Sequence, residues 1–234
     1  MIRFENCQLQ IAKFSLALNL NVQPGQFVSV LGGSGAGKST LLSLVAGFET
    51  PSQGKLFLDG AELENAPPAK RPVSMVFQDH NAFAHMDVWT NVALGISPAL
   101  KLNKQQLADI DAALERVGLA DYAKRRPGEI SGGERQRVAL ARVLVRNRKI
   151  LLLDEPFAAL DPGLRRNMLD LVLALQAEHG LTVLMVTHMP EEARYADGQI
   201  LFVAEGVARA TVRAVDFFNS RGDQAIAKYL GDWR

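Results

Sequence analysis

The sequence predicts an α/β fold with a largely parallel sheet, into which a helical stretch is inserted. Apolar runs of strand length recur at Phe27–Leu31, Val73–Phe77, Ile150–Leu153, Val183–Val186 and Ile200–Val203. Between them lie segments with helical periods, and buried strands alternating with helices imply a mostly parallel sheet covered on both faces. From about Phe83 to Asn147 only helical periods occur. Leu107, Ile110, Ala113, Leu114 and Val117 recur there at steps of three and four, and Gly118 closes that helix.

The remaining elements follow in order. Ile2 to Phe4 and the alternating Leu16 to Val22 read as short strands, and Gln23-Pro24-Gly25 reads as a turn before the Phe27–Leu31 strand. Thr40 to Ala46 reads as a helix, Leu56-Phe57-Leu58 with Asp59-Gly60 as a strand and turn, and Leu164 to His179 as a long helix. The 234 residues are 48% hydrophobic and 22% charged, which suits one large domain or a core with an inserted subdomain. A net charge of +1 speaks against a broad nucleic-acid surface. The local cluster Arg135, Arg137, Arg142, Arg146, Arg148 and Lys149 reads as a solvated helix face. Cys7 is the single cysteine, which excludes an internal disulfide and fits a reducing compartment. No apolar stretch approaches the ~18 residues of a membrane span. Met1 to Asn6 has no secretory apolar region, so a cytosolic protein is expected, unless a partner holds it to a membrane.

Residues Gly32-Gly33-Ser34-Gly35-Ala36-Gly37-Lys38-Ser39, followed by Thr40, match the pattern G-x-x-x-x-G-K-[ST] between a strand and a helix. That context turns the string into a P-loop, whose glycines let successive N–H groups face phosphate oxygens. The helix N-terminus adds partial positive charge. Lys38 is expected to bridge the β- and γ-phosphates of a nucleoside triphosphate, and Ser39 to ligate Mg²⁺. Asp154 and Glu155 end the Ile150–Leu153 run. A strand's carboxyl edge is where ligands sit in an open α/β sheet. One carboxylate, Asp154, can hold the metal through its water shell while the other, Glu155, polarises an attacking water. Farther on, Ser131 is a good N-cap, yet Gly132 and Gly133 in the first helical turn cost helix stability. Bare N–H groups at a helix start are useful where an anion must come close.

Taken together, these segments resemble the nucleotide-binding subunit of an ABC transporter, and the likeness covers essentially the whole chain. The family's Walker A falls on residues 32 to 39, and its Walker B and catalytic glutamate on Ile150 to Glu155. The signature falls on Ile130 to Glu134, with Glu134 where glutamine is usual. Gln78 sits at the Q-loop position, Ala159-Leu160-Asp161 resembles the D-loop, and His188 stands at the switch histidine. The resemblance implies a P-loop NTPase (RecA-like) core of ABC type, with a small N-terminal antiparallel β subdomain and a helical subdomain. The core would comprise residues 1–82 and 148–234 and the helical subdomain 83–147. It implies ATP and Mg²⁺ as cofactors, with Ser39, Gln78 and Asp154 at the metal and Glu155, His188, Gln78 and Lys38 in the chemistry.

It further implies a homodimer paired head to tail, with each ATP held between one P-loop and the other chain's Ser131, Gly132, Gly133, Glu134 and Asp161. The family's adenine-stacking aromatic is missing from Gln10-Ile11-Ala12-Lys13, so Ile11 is expected to pack on the base unless Phe14 substitutes. Glu134 is expected to set a carboxylate near the partner's nucleotide. The stretch Pro67 to Gln78, continued through Asn81, Phe83, His85, Asn91, Leu94-Gly95 and Pro98 to Leu102, is similar to importers served by a periplasmic binding protein. Its likeness is greatest to the ATPases of thiamine importers, with iron(III), polyamine and oxyanion importers as neighbours. Such a chain grips membrane-spanning permease subunits around Gln78 and Phe83 to Trp89, at the cytoplasmic face of the bacterial inner membrane. DNA-associated ABC ATPases separate the same motifs with long coiled coils, which the short 83–130 insert lacks, and no Asn-Lys-x-Asp guanine motif is present.

Overall fold

A computed structural model describes residues 1–12, 14–63, 65–77, 82–220 and 222–231. In chain order the elements are β1 (Ile2–Ile11), β2 (Phe14–Val22), β3 (Phe27–Leu31), α1 (Lys38–Ala46), β4 (Gln53–Leu58), β5 (Ala61–Glu62) and β6 (Val73–Val76). Then come α2 (Val88–Ala93), α3 (Lys104–Arg116), α4 (Gly132–Arg146), β7 (Ile150–Asp154), α5 (Pro162–His179), β8 (Thr182–Val186) and α6 (Pro190–Ala196). The chain closes with β9 (Gln199–Ala204), β10 (Val207–Ala208), β11 (Val212–Arg213), α7 (Ala214–Asn219) and α8 (Gln224–Leu230).

Among the described residues, one sheet runs in the order β5-β4-β1-β2-β10-β9-β3-β8-β7-β6, with β11 beside β9. The strands β9, β3, β8, β7 and β6 are all parallel, as their apolar runs predict. The N-terminal strands β1, β2, β4 and β5 pair antiparallel. Two-residue β10 joins the halves, parallel to β2 and antiparallel to β9.

Strand β1 is longer than the Ile2 to Phe4 expected. Ile2, Phe4, Cys7 and Leu9 are buried, and the pairing slips between Phe4 and Cys7, where Asn6 takes φ 48. One extra residue at this bulge shifts the alternation by a step, so the polar-apolar period breaks in the sequence although the strand continues.

The parallel strands bury both faces. Leu151, Leu153, Val183 and Met185 pack with the apolar sides of α2, α3, α4 and α5, including Val92, Ile110, Leu114, Leu140 and Leu169. The alternate residues Ile150, Leu152, Leu184 and Val186 join Leu41, Leu42 and Val45 of α1 and the buried side of the β1–β2 pair. The arginines of α4 are less solvated than expected. Arg142 donates through Nε to Asn91 O at 3.1 Å and through Nη2 to Asn91 Oδ1 at 3.0 Å, while Arg135 Nη1 reaches Ile130 O at 2.8 Å. Only Arg148 and Lys149 of that cluster are exposed; the other four are half-buried, Arg135 and Arg142 by bending back onto carbonyls of neighbouring segments.

Helix α1, which carries the P-loop lysine, is anchored at its far end. Arg71 is 1% exposed and donates through Nη1 to Leu44 O at 2.6 Å and Val45 O at 3.0 Å, and through Nε to Ala66 O at 2.9 Å. A guanidinium at a helix C-terminus satisfies free carbonyls and opposes the negative end of the dipole. Gly47 ends the helix at φ 89, and a Cβ there would stand 2.4 Å from Arg71 Nε. Replacing Arg71→Met is therefore expected to lower the unfolding free energy by about 3 kcal/mol, since buried carbonyls lose charged donors. Urea unfolding at unchanged slope measures it. A loss below about 1 kcal/mol would mean that these carbonyls find other partners.

Candidate active site

Five segments meet beside the carboxyl edge of the parallel strands: the start of β2, the P-loop running from β3 into α1, the end of β7, the turn after β8 and helix α8. They border a cleft of about 560 Å³ lined by Phe14, Gly32, Gly33, Ser34, Gly35, Gly37, Lys38, Ser39, Thr40, Glu155, His188 and Tyr229. The P-loop passes close over its neighbours, which explains two of its glycines. A Cβ on Gly32 would lie 2.1 Å from Val203 O, and one on Gly37, at φ 105, would lie 2.6 Å from Phe14 Cζ.

Lys38 opens α1 and is 7% exposed, with Nζ donating to Gly32 O and Gly33 O at 2.9 Å each. Burial draws its pKa down, while Glu155 and Asp154 pull it back up. Ser39 Oγ donates to Asp154 Oδ1 at 2.9 Å, so the hydroxyl and carboxylate expected at a metal stand side by side. Burial raises the Asp154 pKa, the Ser39 bond and Lys38 lower it, and Glu155 adds to the rise. Glu155 takes φ 45, a left-handed conformation rare for a side chain of its size, and its N–H donates to Val186 O at 3.0 Å. Its Oε2 lies 3.2 Å from His188 Nδ1. Hard oxygen donors of the Ser39–Asp154 kind suit a small divalent cation.

Ile11 does not line the cleft. It pairs with Phe14 across the β1–β2 hairpin and is 38% exposed, while the Phe14 ring reaches over Gly37. As direct partners the two share one face of the hairpin, and it is the Phe14 ring that reaches Gly37. Gln78 lies outside the described residues.

Ser131, Gly132, Gly133 and Glu134 begin α4 away from this cleft, and Asp161 caps α5 by accepting from Leu164 N–H at 2.9 Å. Glu134 is folded onto its own helix start. Its carboxylate accepts from Ser131 N–H at 2.6 Å, and Ser131 Oγ accepts from Glu134 N–H at 3.3 Å, forming a capping box. The Ser131 backbone bond, then its hydroxyl, hold the Glu134 carboxyl below its ordinary pKa. The cap offsets some of the cost of the two glycines. Gly133 packs on α5, where a Cβ would meet Leu164 Cδ2 at 2.5 Å. Fully buried Gln136 donates from Nε2 to Pro156 O, tying α4 to the turn after Glu155.

Sequence reasoning missed Tyr229, Gln136 and the groups around His188 described below. Tyr229 arrives from a helix far along the chain, and no local spacing relates it to the P-loop.

The match to known proteins follows this geometry. Residues 16–158 match the family model of ABC transporters, and the chain belongs to that family as its ATP-binding, ATP-hydrolysing cassette. Among its relatives, the thiamine import ATP-binding protein ThiQ of Mesorhizobium japonicum is 50% identical over 98% of this chain and 91% of its own. ThiQ of Brucella suis is 47% identical over 100% of this chain and 97% of its own. The fold superposes on the ADP conformation of MJ1267, an ATP-binding cassette of an ABC transporter, with TM-score 0.87 and 25% identity over 99% of both chains. The dimeric post-hydrolysis state of the cassette MJ0796, bound to ADP and Pi, matches with TM-score 0.77 and 27% identity over 92% of this chain and 99% of that one.

Because the Gly32 contact is with backbone, Gly32→Ala has to push the P-loop off β9. The expected result is ATP affinity weakened about tenfold or more, read by titration with a fluorescent ATP analogue. Unaltered affinity would show that the loop can move without cost.

Proposed function

We propose that this chain is the ATPase that energises thiamine import, with Glu155 as general base. The observation that carries the hydrolytic reading is the meeting of Lys38, Ser39, Asp154, Glu155 and His188 at one cleft. The cargo rests on the thiamine import proteins to which the chain is similar along nearly its full length.

In this reading ATP lies along the P-loop, with Gly33 to Thr40 presenting N–H groups and Lys38 releasing its loop carbonyls for phosphate oxygens. Phe14, in place of Ile11, supplies the aromatic wall nearest the base. Ser39 and Asp154, with Gln78, would hold Mg²⁺, which supplies positive charge against the phosphates when bound. Glu155 takes the proton of the attacking water, and His188, against its carboxylate, orients it.

Two chains pair head to tail, so that Ser131, Gly132, Gly133 and Asp161 of each complete the other's nucleotide site. The separation of these residues from the P-loop cleft within one chain supports this, as does the dimeric form of MJ0796. Glu134, engaged by its own cap, is not needed for that contact. Residues 83–147 act as a helical subdomain inserted in a core of 1–82 and 148–234. Among the described residues no helix is long and apolar enough to cross a membrane; in this reading permease subunits form the transport path. Exposed Phe83 and Phe48 mark the face that meets them at the cytoplasmic side of the inner membrane. A periplasmic binding protein delivers cargo to the permease and does not touch this chain.

Glu155→Gln is expected to keep ATP binding and to lose about 10²–10⁴ in turnover, as removal of a positioned base does. In cells lacking the chain, labelled thiamine uptake should return with wild type and not with Glu155→Gln. Near-normal hydrolysis by the variant would falsify the role of Glu155. Unchanged uptake in the deletion strain would overturn thiamine and leave another cargo. Phe14→Ala should weaken ATP binding and narrow its preference over GTP, measured by competition. Equal ATP affinity in that variant would remove Phe14 from the base site.

A further inference from the structure

His188 stands on a short turn between β8 and α6, and that turn is braced by buried groups outside the cleft. Thr187, 2% exposed, donates through N–H to Val30 O at 3.4 Å and through Oγ1 to Glu192 Oε2 at 2.6 Å. Thr187 Oγ1 also accepts from Met189 N–H at 3.0 Å, and Glu192 N–H donates to Met189 O at 3.1 Å. Thr187, on one flank of His188, is thus tied to the Glu192 carboxylate, and Met189, on the other, to the Thr187 hydroxyl and the Glu192 backbone.

That carboxylate is 6% exposed, and its other oxygen lies 3.4 Å from Arg165 Nε on α5. Arg165 in turn donates from Nη2 to Leu160 O at 2.9 Å and from Nε to Phe157 O at 3.4 Å. Phe157 and Leu160 belong to the turn that begins at Glu155 and ends at the Asp161 cap. A buried carboxylate is costly unless paired and hydrogen-bonded, and burial pushes the Glu192 pKa up against the pull of Thr187, Arg165 and His188. Stability alone is a weak reason for such a pair, because apolar residues would fill the same space at no greater cost. Its value lies in what it connects.

We propose that Arg165 and Glu192 are positioning residues, a buried brace between α5 and α6 that sets the turn carrying His188 against the turn carrying Glu155. This rests on the reading of Glu155 and His188 as the hydrolytic pair. The brace acts after the nucleotide is bound, since neither residue lines the P-loop cleft.

The test is steady-state ATP hydrolysis by the purified chain, normalised to nucleotide-binding sites, for Glu192→Gln, Arg165→Met and their double variant, beside wild type and Glu155→Gln. Expected is a kcat about 10- to 100-fold lower in each single variant, with KM for ATP within about twofold of wild type. The double variant should be no worse than the poorer single one, because both lose one brace. Arg165→Lys, which keeps the charge but not the fork, should retain more activity than Arg165→Met and covers the case in which Glu192→Gln fails to fold. Folded variants with wild-type kcat would overturn the proposal while leaving the hydrolytic reading intact, provided that Glu155→Gln is inactive. A rise in KM at constant kcat would overturn it equally. Wild-type turnover by Glu155→Gln would remove the hydrolytic reading and the proposal with it.

Discussion

The structure depends on the parallel hydrogen bonding of β3, β8 and β7 side by side. Val30 pairs with Val186, and Val186 pairs with Asp154, so three strands distant in sequence reach the same edge in step. Their successor residues then have nowhere to go but over that edge, where the P-loop, Glu155 and His188 emerge together. Two bonds carry the ladder past its ends: Glu155 N–H to Val186 O at 3.0 Å and Thr187 N–H to Val30 O at 3.4 Å. The left-handed backbone of Glu155 costs on the order of 1 kcal/mol and persists because these bonds, with the Gln136 contact on Pro156, over-determine the turn.

Electrostatics inside the cleft follow from this crowding. Lys38 and Asp154 are partly desolvated, so each ionised group is costly alone; the two carboxylates favour the ammonium and Lys38 favours the Asp154 carboxylate, while Glu155 opposes it. The ammonium is held by loop carbonyls and the carboxylate by a hydroxyl. Both can exchange these neutral partners for a charged ligand with little rearrangement, which is the form of preorganisation that favours rapid phosphate chemistry.

Much of this was legible in the sequence, and for identifiable reasons. The parallel strands announce themselves because they are covered on both faces, and the P-loop because backbone curvature demands glycine at fixed spacing. The β1 bulge hid half a strand by shifting its period. Phe14 and Ile11 share a face of the hairpin, and only packing against the P-loop shows which of them reaches the cleft. The α4 arginines read as solvated because no local rule says that a guanidinium will turn back to a carbonyl. Tyr229, Gln136, Arg165 and Glu192 join the site only through tertiary packing between elements far apart in sequence. Short β5, β10 and β11 exist as partners of longer strands and leave no pattern of their own.

Cys7, the only cysteine of the chain, sits beside the bulge at 1% exposure, with Sγ donating to Lys55 O at 2.9 Å. The native surface therefore offers no accessible thiol to a maleimide reagent. A cysteine introduced on the exposed face of α3 or at the start of α4 would carry a dye or spin label at a single known address, without first removing a native residue. Distances between copies of such a label, followed through the nucleotide cycle, would make the motion of this cassette directly visible.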